Sequence, residues 1–132
     1  MYEIVMAIDT DEDRAIAQAE TVADLPGADD AVHATLLHDF TYNPEGGSVS
    51  QVAAVRRAKE VLEAAGIEVT LEESSGDPGH AIVQLADERD ADLICVAGRK
   101  RSPAGKALFG SVTQDVFLGT DRPVLLVSAD GN

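Results

Sequence analysis

Short apolar runs recur along this chain, separated by segments whose apolar residues repeat at helical spacing, and that alternation restricts the fold more than any other feature. Ile4–Ile8, Leu93–Ala97 and Val124–Val127 are continuous runs of the kind found in strands covered on both faces. A further strand is predicted from about Ala31 to His38. Ile67–Glu72 alternates strictly, as a strand with one wet side does. Between the strands lie four predicted helices, giving the order βαβαβαβαβ. Such an order favours right-handed crossovers and a single α/β domain over residues 1–132, an open five-stranded parallel sheet with helices on both faces. With the alternating strand at an edge, the strand order becomes 3-2-1-4-5.

The helices carry their own punctuation. Ala15, Ile16, Ala19, Val22 and Ala23 share one stripe, ended by Pro26-Gly27. Ser48 and Ser50 are candidate caps for a helix with Val52, Val55, Ala58, Val61, Leu62 and Ala65 inward, closed by Gly66. Gly76-Asp77-Pro78 opens the third helix, with Ile82, Leu85 and Ala86 inward, and Gly110-Ser111 opens the fourth. The stretch from Asp39 to Ser48, with Asn43-Pro44 and Gly46-Gly47, reads as an exposed loop.

In sheets of this kind ligands bind beyond the carboxyl ends of the strands, where the winding reverses. That crevice lies between strands one and four, so function is expected in Asp9–Glu12 and Gly98–Ser111. The second segment inverts the sign of the molecule. The formal charge is −14, yet Arg99, Lys100, Arg101 and Lys106, four of the ten basic residues, fall within it. Gly98, Gly105 and Gly110 would let backbone amides approach an anion, and the following helix start adds N–H donors and the Ser111 and Thr113 hydroxyls. Each feature also has an ordinary structural use, as turn glycine, cap or surface ion pair. The residues alone leave the two readings evenly balanced.

The acidity argues against nucleic acid as a partner, since phosphate backbones would be repelled. It fits either a solvated acidic surface or adaptation to a salty cytosol, and the scarcity of lysine (Lys59, Lys100, Lys106) leans to the halophilic reading. No apolar run nears the ~20 residues of a membrane span, and Met1-Tyr2-Glu3 lacks a signal-peptide start, so a cytoplasmic location without membrane association is expected. The lone Cys95 reads as a buried small hydrophobe.

Phe109-Gly110-Ser111-Val112-Thr113 followed by Arg122-Pro123-Val124-Leu125-Leu126-Val127 resembles the universal stress protein family. Strand one ending in Asp9, Leu36-Leu37-His38 and Gly76-Asp77-Pro78 extend the resemblance over nearly the whole chain. Nucleotide-binding members carry Gly, two residues, Gly, nine residues, then Gly-Ser or Gly-Thr. The resemblance implies that ATP, or ADP or AMP, with or without Mg, is held by Gly98, Gly110 and Ser111, with Ala97, Val112 and Thr113 adjoining and Asp9 near adenine and ribose. Three departures stand out: Arg101 occupies the second motif glycine, the loop from Gly98 to Gly110 is one residue short, and Asp39 follows His38 where members often have a small aliphatic residue beside the base. Gly105 is the candidate replacement and Arg101 a candidate source of charge. Since some members bind no nucleotide, a homodimeric interaction module of the same fold is the alternative function.

Other site types fail on spacing. A Walker A loop needs Gly-Lys followed by Ser or Thr, whereas Lys106 precedes Ala107. A dinucleotide fingerprint needs glycines where Asp9-Thr10-Asp11-Glu12 stand. A receiver-type phosphoacceptor domain needs an Asp after strand three and a Lys after strand five, and neither is there. Asp11 and Asp13 read as helix-start residues, and His33, His38 and His80 do not converge. No catalytic set emerges, which leaves at most weak ATP hydrolysis with no base to name. The strand within residues 122–128 has an apolar outer edge with little to blunt it, so a homodimer through it is expected.

Overall fold

The computed structural model describes residues 1–40, 48–98 and 110–128. Its elements are β1 (Tyr2–Ala7), α1 (Glu12–Ala23), α2 (Ala28–Ala31), β2 (Val32–Asp39), α3 (Ala53–Ala64), β3 (Glu68–Ser74), α4 (Pro78–Glu88), β4 (Leu93–Gly98), α5 (Ser111–Gly119) and β5 (Val124–Ser128). The five strands form one sheet in the order β3-β2-β1-β4-β5, as the sequence predicts, and every adjacent pair is parallel.

Alternation along the inner strands sends side chains to two separate cores. Ile4 and Met6 of β1, Ala34 and Leu36 of β2 and Cys95 of β4 pack with Ala15, Ala19 and Val22 of α1 and Val55, Ala58 and Leu62 of α3. Val5, Leu37, Ile94 and Val96 face the other way, against Ile82 and Ala86 of α4 and Val116 of α5. Burying a side chain such as Ile4 or Leu36 contributes about 2 kcal/mol. Both cores converge on β1, which is why its apolar run is continuous.

Helix boundaries depart from expectation in two places. The serines do not cap α3 directly. Ser48 N–H donates to Gln51 Oε1 at 2.8 Å and Ser48 Oγ lies 3.1 Å from Ser50 Oγ, so this polar trio forms a 3-10 turn over Val49–Gln51, and α3 starts only at Ala53. The extra helix α2 follows Gly27, whose φ of 73° turns the chain immediately after Pro26. Elsewhere the expected signals operate: Asp11 accepts from Arg14 N–H as the N-cap of α1, and Asp77 caps α4 with Pro78 in its first turn.

β3 is an edge, and none of its residues is fully buried. On the α4 side of the sheet its neighbours are polar. His33 Nδ1 donates to Glu3 Oε1 at 2.6 Å, Thr35 Oγ1 donates to Glu3 Oε2 at 2.7 Å, and Thr70 Oγ1 meets His33 Nε2 at 2.8 Å. Thr35, wholly buried, is thereby satisfied.

Candidate ligand-binding site at the sheet switch point

The β1–β4 ladder ends at Met6 opposite Cys95, and beyond it the two strands part. The carbonyls left at the parting take a side chain. Gln18 of α1, 1% exposed, donates from Nε2 to Ala7 O at 3.0 Å and approaches Cys95 O at 3.4 Å. Ile16, expected inward, is only half buried because Gln18 holds the inner position. Burial pushes the neighbouring Cys95 thiol up to about 12, the Gln18 hydrogen bond opposing the shift.

Above this seam lies a cavity of about 560 Å³. Ala7, Ile8, Asp9 and Thr10 wall it from the end of β1, Val96 and Ala97 from β4, and Val112 and Thr113 from the first turn of α5. Of the residues singled out by sequence, Asp9, Ala97, Val112 and Thr113 therefore share one cavity. Gly98 closes β4 beside it. A methyl group on Gly98 would come 3.0 Å from Leu126 Cδ1 and 3.8 Å from Thr113 Oγ1, so the strand end and the helix start are close neighbours. Gly110 is the N-cap of α5 and Ser111 its first residue. Both are exposed, and a Cβ on Gly110 would meet nothing within 4 Å among the described residues. The first-turn amides of α5 have no partner within the helix, and Gly110 contributes no side-chain cap. Arg101 and Gly105 lie outside the described residues, as do Arg99, Lys100 and Lys106.

The topology points to two loops, and the resemblance alone points to the residue after strand two; the structure adds the end of β2 as a third wall. Ala7, the last residue of β1, pairs with Leu37, but β2 continues to Asp39. His38, Asp39 and Phe40 consequently overhang β1 and line the cavity, together with Val52, Pro78 and Ile82. The comparative lengths of the two apolar runs were the available signal. His38 is indeed a packed strand-end residue, 5% exposed, with its ring edge-to-face against Phe40 at 4.7 Å.

Asp9 does not enter the cavity as an unpaired carboxylate. Its Oδ1 accepts from Asp11 N–H at 2.8 Å, and its Oδ2 accepts from Arg14 Nε at 3.0 Å. Among the described residues, no group of three or more His, Cys, Asp or Glu side chains is arranged to hold a metal ion.

The model of the universal stress protein family matches residues 1–128. The chain belongs to that family. A universal stress protein of known structure from Archaeoglobus fulgidus is similar to it over 96% of this chain and 98% of that one, at 30% identity and a TM-score of 0.77. A second universal stress protein, solved in complex with cAMP, is 26% identical, with 98% of each chain covered and a TM-score of 0.74. In Methanocaldococcus jannaschii a universal stress protein is 31% identical over 74 residues, which are 56% of this chain and 44% of that relative. The match thus spans less than half of that relative's length. Among the described residues of this universal stress protein, no helix is long and apolar enough to cross a membrane.

Proposed function

We propose that this universal stress protein is a nucleotide-responsive regulatory protein of the stress response, located in the cytoplasm, which binds ATP, ADP or AMP at the switch point. One observation carries the reading: the ends of β1, β2 and β4 and the first turn of α5 wall a single cavity of about 560 Å³. That volume lies within the range of small-molecule sites, about 300–1,000 Å³. The likeness to a universal stress protein solved with cAMP supports an adenine nucleotide as the ligand class.

In this reading the phosphates sit at the start of α5, where amides without intrahelical partners, the helix dipole and the Ser111 and Thr113 hydroxyls favour an anion. Gly98 and Gly110 leave room for the backbone to approach, and Arg101 and Gly105, between them in sequence, are the candidate sources of charge and of a further glycine. Asp9 faces the ribose from the end of β1, held in place by Arg14. No residue is assigned a catalytic role, and no step is assigned to Mg.

Isothermal titration calorimetry at molar potassium chloride tests the reading. Saturable heat is expected with at least one adenine nucleotide, much weaker in Ser111→Ala and abolished in Gly110→Val. Because a Cβ at Gly110 meets none of the described residues, that variant should fold. Absence of heat at millimolar nucleotide would instead favour the interaction module, a homodimer through β5. The specific observation favouring that second reading is the partly exposed apolar run Val124–Leu126 on an edge strand.

A further inference from the structure

His38 carries more information than a packing residue needs. Its Nδ1 lies 2.7 Å from the Ile8 carbonyl, which can only accept, so Nδ1 bears a proton, and in the tautomer this bond selects Nε2 is an acceptor. The ring is 5% exposed and forms part of the cavity wall, and Nε2 has no hydrogen-bond partner among the described residues. Turning the ring over would break the Ile8 bond and disturb the contact with Phe40, so the acceptor is fixed in place.

Two backbone donors beside it are already engaged. Phe40 N–H goes to the Ser74 carbonyl at 2.7 Å, and Ile8 N–H goes to the Leu37 carbonyl at 2.9 Å. Asp39 lines the same wall, and its Oδ2 accepts from Ser74 Oγ at 2.7 Å. At this end of the cavity Nε2 thus stands as an acceptor beside engaged backbone donors. In the sheet, β2 and β4 lie on opposite sides of β1, so the wall stands across the cavity from the β4–α5 side assigned to phosphate.

We propose that His38 is the specificity-determining residue of the site, its Nε2 accepting an N–H from the ligand's base and so selecting a 6-aminopurine over a 6-oxopurine. The inference rests on the nucleotide reading above. An exocyclic amino group supplies the missing donor. An oxo group at the same place would set its lone pairs against those of Nε2, and a hydrogen there would leave Nε2 buried and unpaired.

Calorimetric titration of the full chain with AMP, IMP and purine riboside 5′-monophosphate, which has hydrogen in place of the 6-amino group, tests this. Wild-type protein is expected to bind AMP about tenfold tighter than either analogue, the effect of one buried hydrogen bond. His38→Asn keeps an amide donor for the Ile8 carbonyl but has no acceptor at the Nε2 position, and its preference should fall to within about twofold. In wild-type protein the imidazole ¹⁵N resonance of Nε2 should move on adding AMP and stay in place on adding purine riboside 5′-monophosphate, a readout independent of whether the variant folds. If AMP and the analogues bind wild type equally, or if His38→Asn keeps the preference, the role of His38 is overturned while nucleotide binding stands. If no nucleotide binds at all, both readings fall together.

Discussion

Arg14 grips Asp9 from one turn along the chain: its Nε and Nη2 both lie 3.0 Å from Asp9 Oδ2, and its Nη1 lies 3.7 Å from Asp11 Oδ2. A carboxylate at the mouth of a site proposed to take an anionic ligand would repel that ligand, and the guanidinium offsets the charge while fixing the side chain.

Arg14→Ala should therefore weaken nucleotide binding by about threefold in dilute salt, because a partly exposed ion pair is modest and screened. Arg14→Lys should restore part of the loss. Calorimetry at low and at molar potassium chloride checks both, and equal affinities for wild type and Arg14→Ala at low salt would refute the role.

Gly79 is where α4 approaches α5. A Cβ there would come 2.7 Å from Asp115 Cβ, and the glycine is buried in the first turn of α4. Gly79→Ala should destabilise the fold by about 1–3 kcal/mol through overpacking. Asp115→Gly, which removes that Cβ, should recover much of the loss. Urea unfolding of the two single variants and the double variant measures the coupling.

The Cys95 thiol, pushed up from 9.0 to about 12 by burial, links stability to alkaline pH. The raised value means that the folded state keeps its proton after the unfolded chain has lost it. The contribution is therefore fully present below pH 9.0 and declines as pH rises towards about 12. Cys95→Ser should flatten that part of the stability profile. Native protein should also resist alkylation by iodoacetamide at pH 8 until it is unfolded, and rapid native labelling would contradict the burial.

At the other edge of the sheet, Leu126→Lys and Val124→Pro should each convert the proposed β5 homodimer to monomer, as read by light scattering. Pairing of two copies of this edge would be two-fold and self-complementary. Monomeric wild type at micromolar concentration, or dimers of both variants, would exclude that interface.

Twenty-four acidic against ten basic residues predict a salt requirement if the acidity is halophilic. Melting temperature should rise substantially between dilute buffer and molar potassium chloride, as screening relieves self-repulsion. An unchanged melting temperature would leave an ordinary solvated surface.

The topology was legible because the inner strands are continuous apolar runs and β3 alternates, so the pattern itself distinguishes interior from edge. Asp9 was legible as a strand-end residue, and Ala97, Val112 and Thr113 as strand-end and helix-start residues near glycines. His38 and Phe40 were not, because their place in the cavity comes from the register between β1 and β2, which hydrophobic periodicity does not encode. Gln18 was missed for a related reason: a polar residue on a helix scores as solvent-facing unless the carbonyls that it satisfies are known. The helix start at Ala53 was displaced by hydrogen bonding among Ser48, Ser50 and Gln51, a local competition that single-residue capping preferences ignore.

The seam between Met6 and Cys95 also has a consequence for the order of assembly. On the ribosome β1 emerges early and pairs with β2, but its other neighbour, β4, is made only after α3, β3 and α4. Until then one side of the central strand is unpaired and the Gln18 amide has only half of its seat. The cavity closes last, when α5 follows β4 out. Nascent chains and truncations that stop before α5 should be blind to ligand, so a bound small molecule would report on completed synthesis, and would hold together the part of the molecule that forms latest.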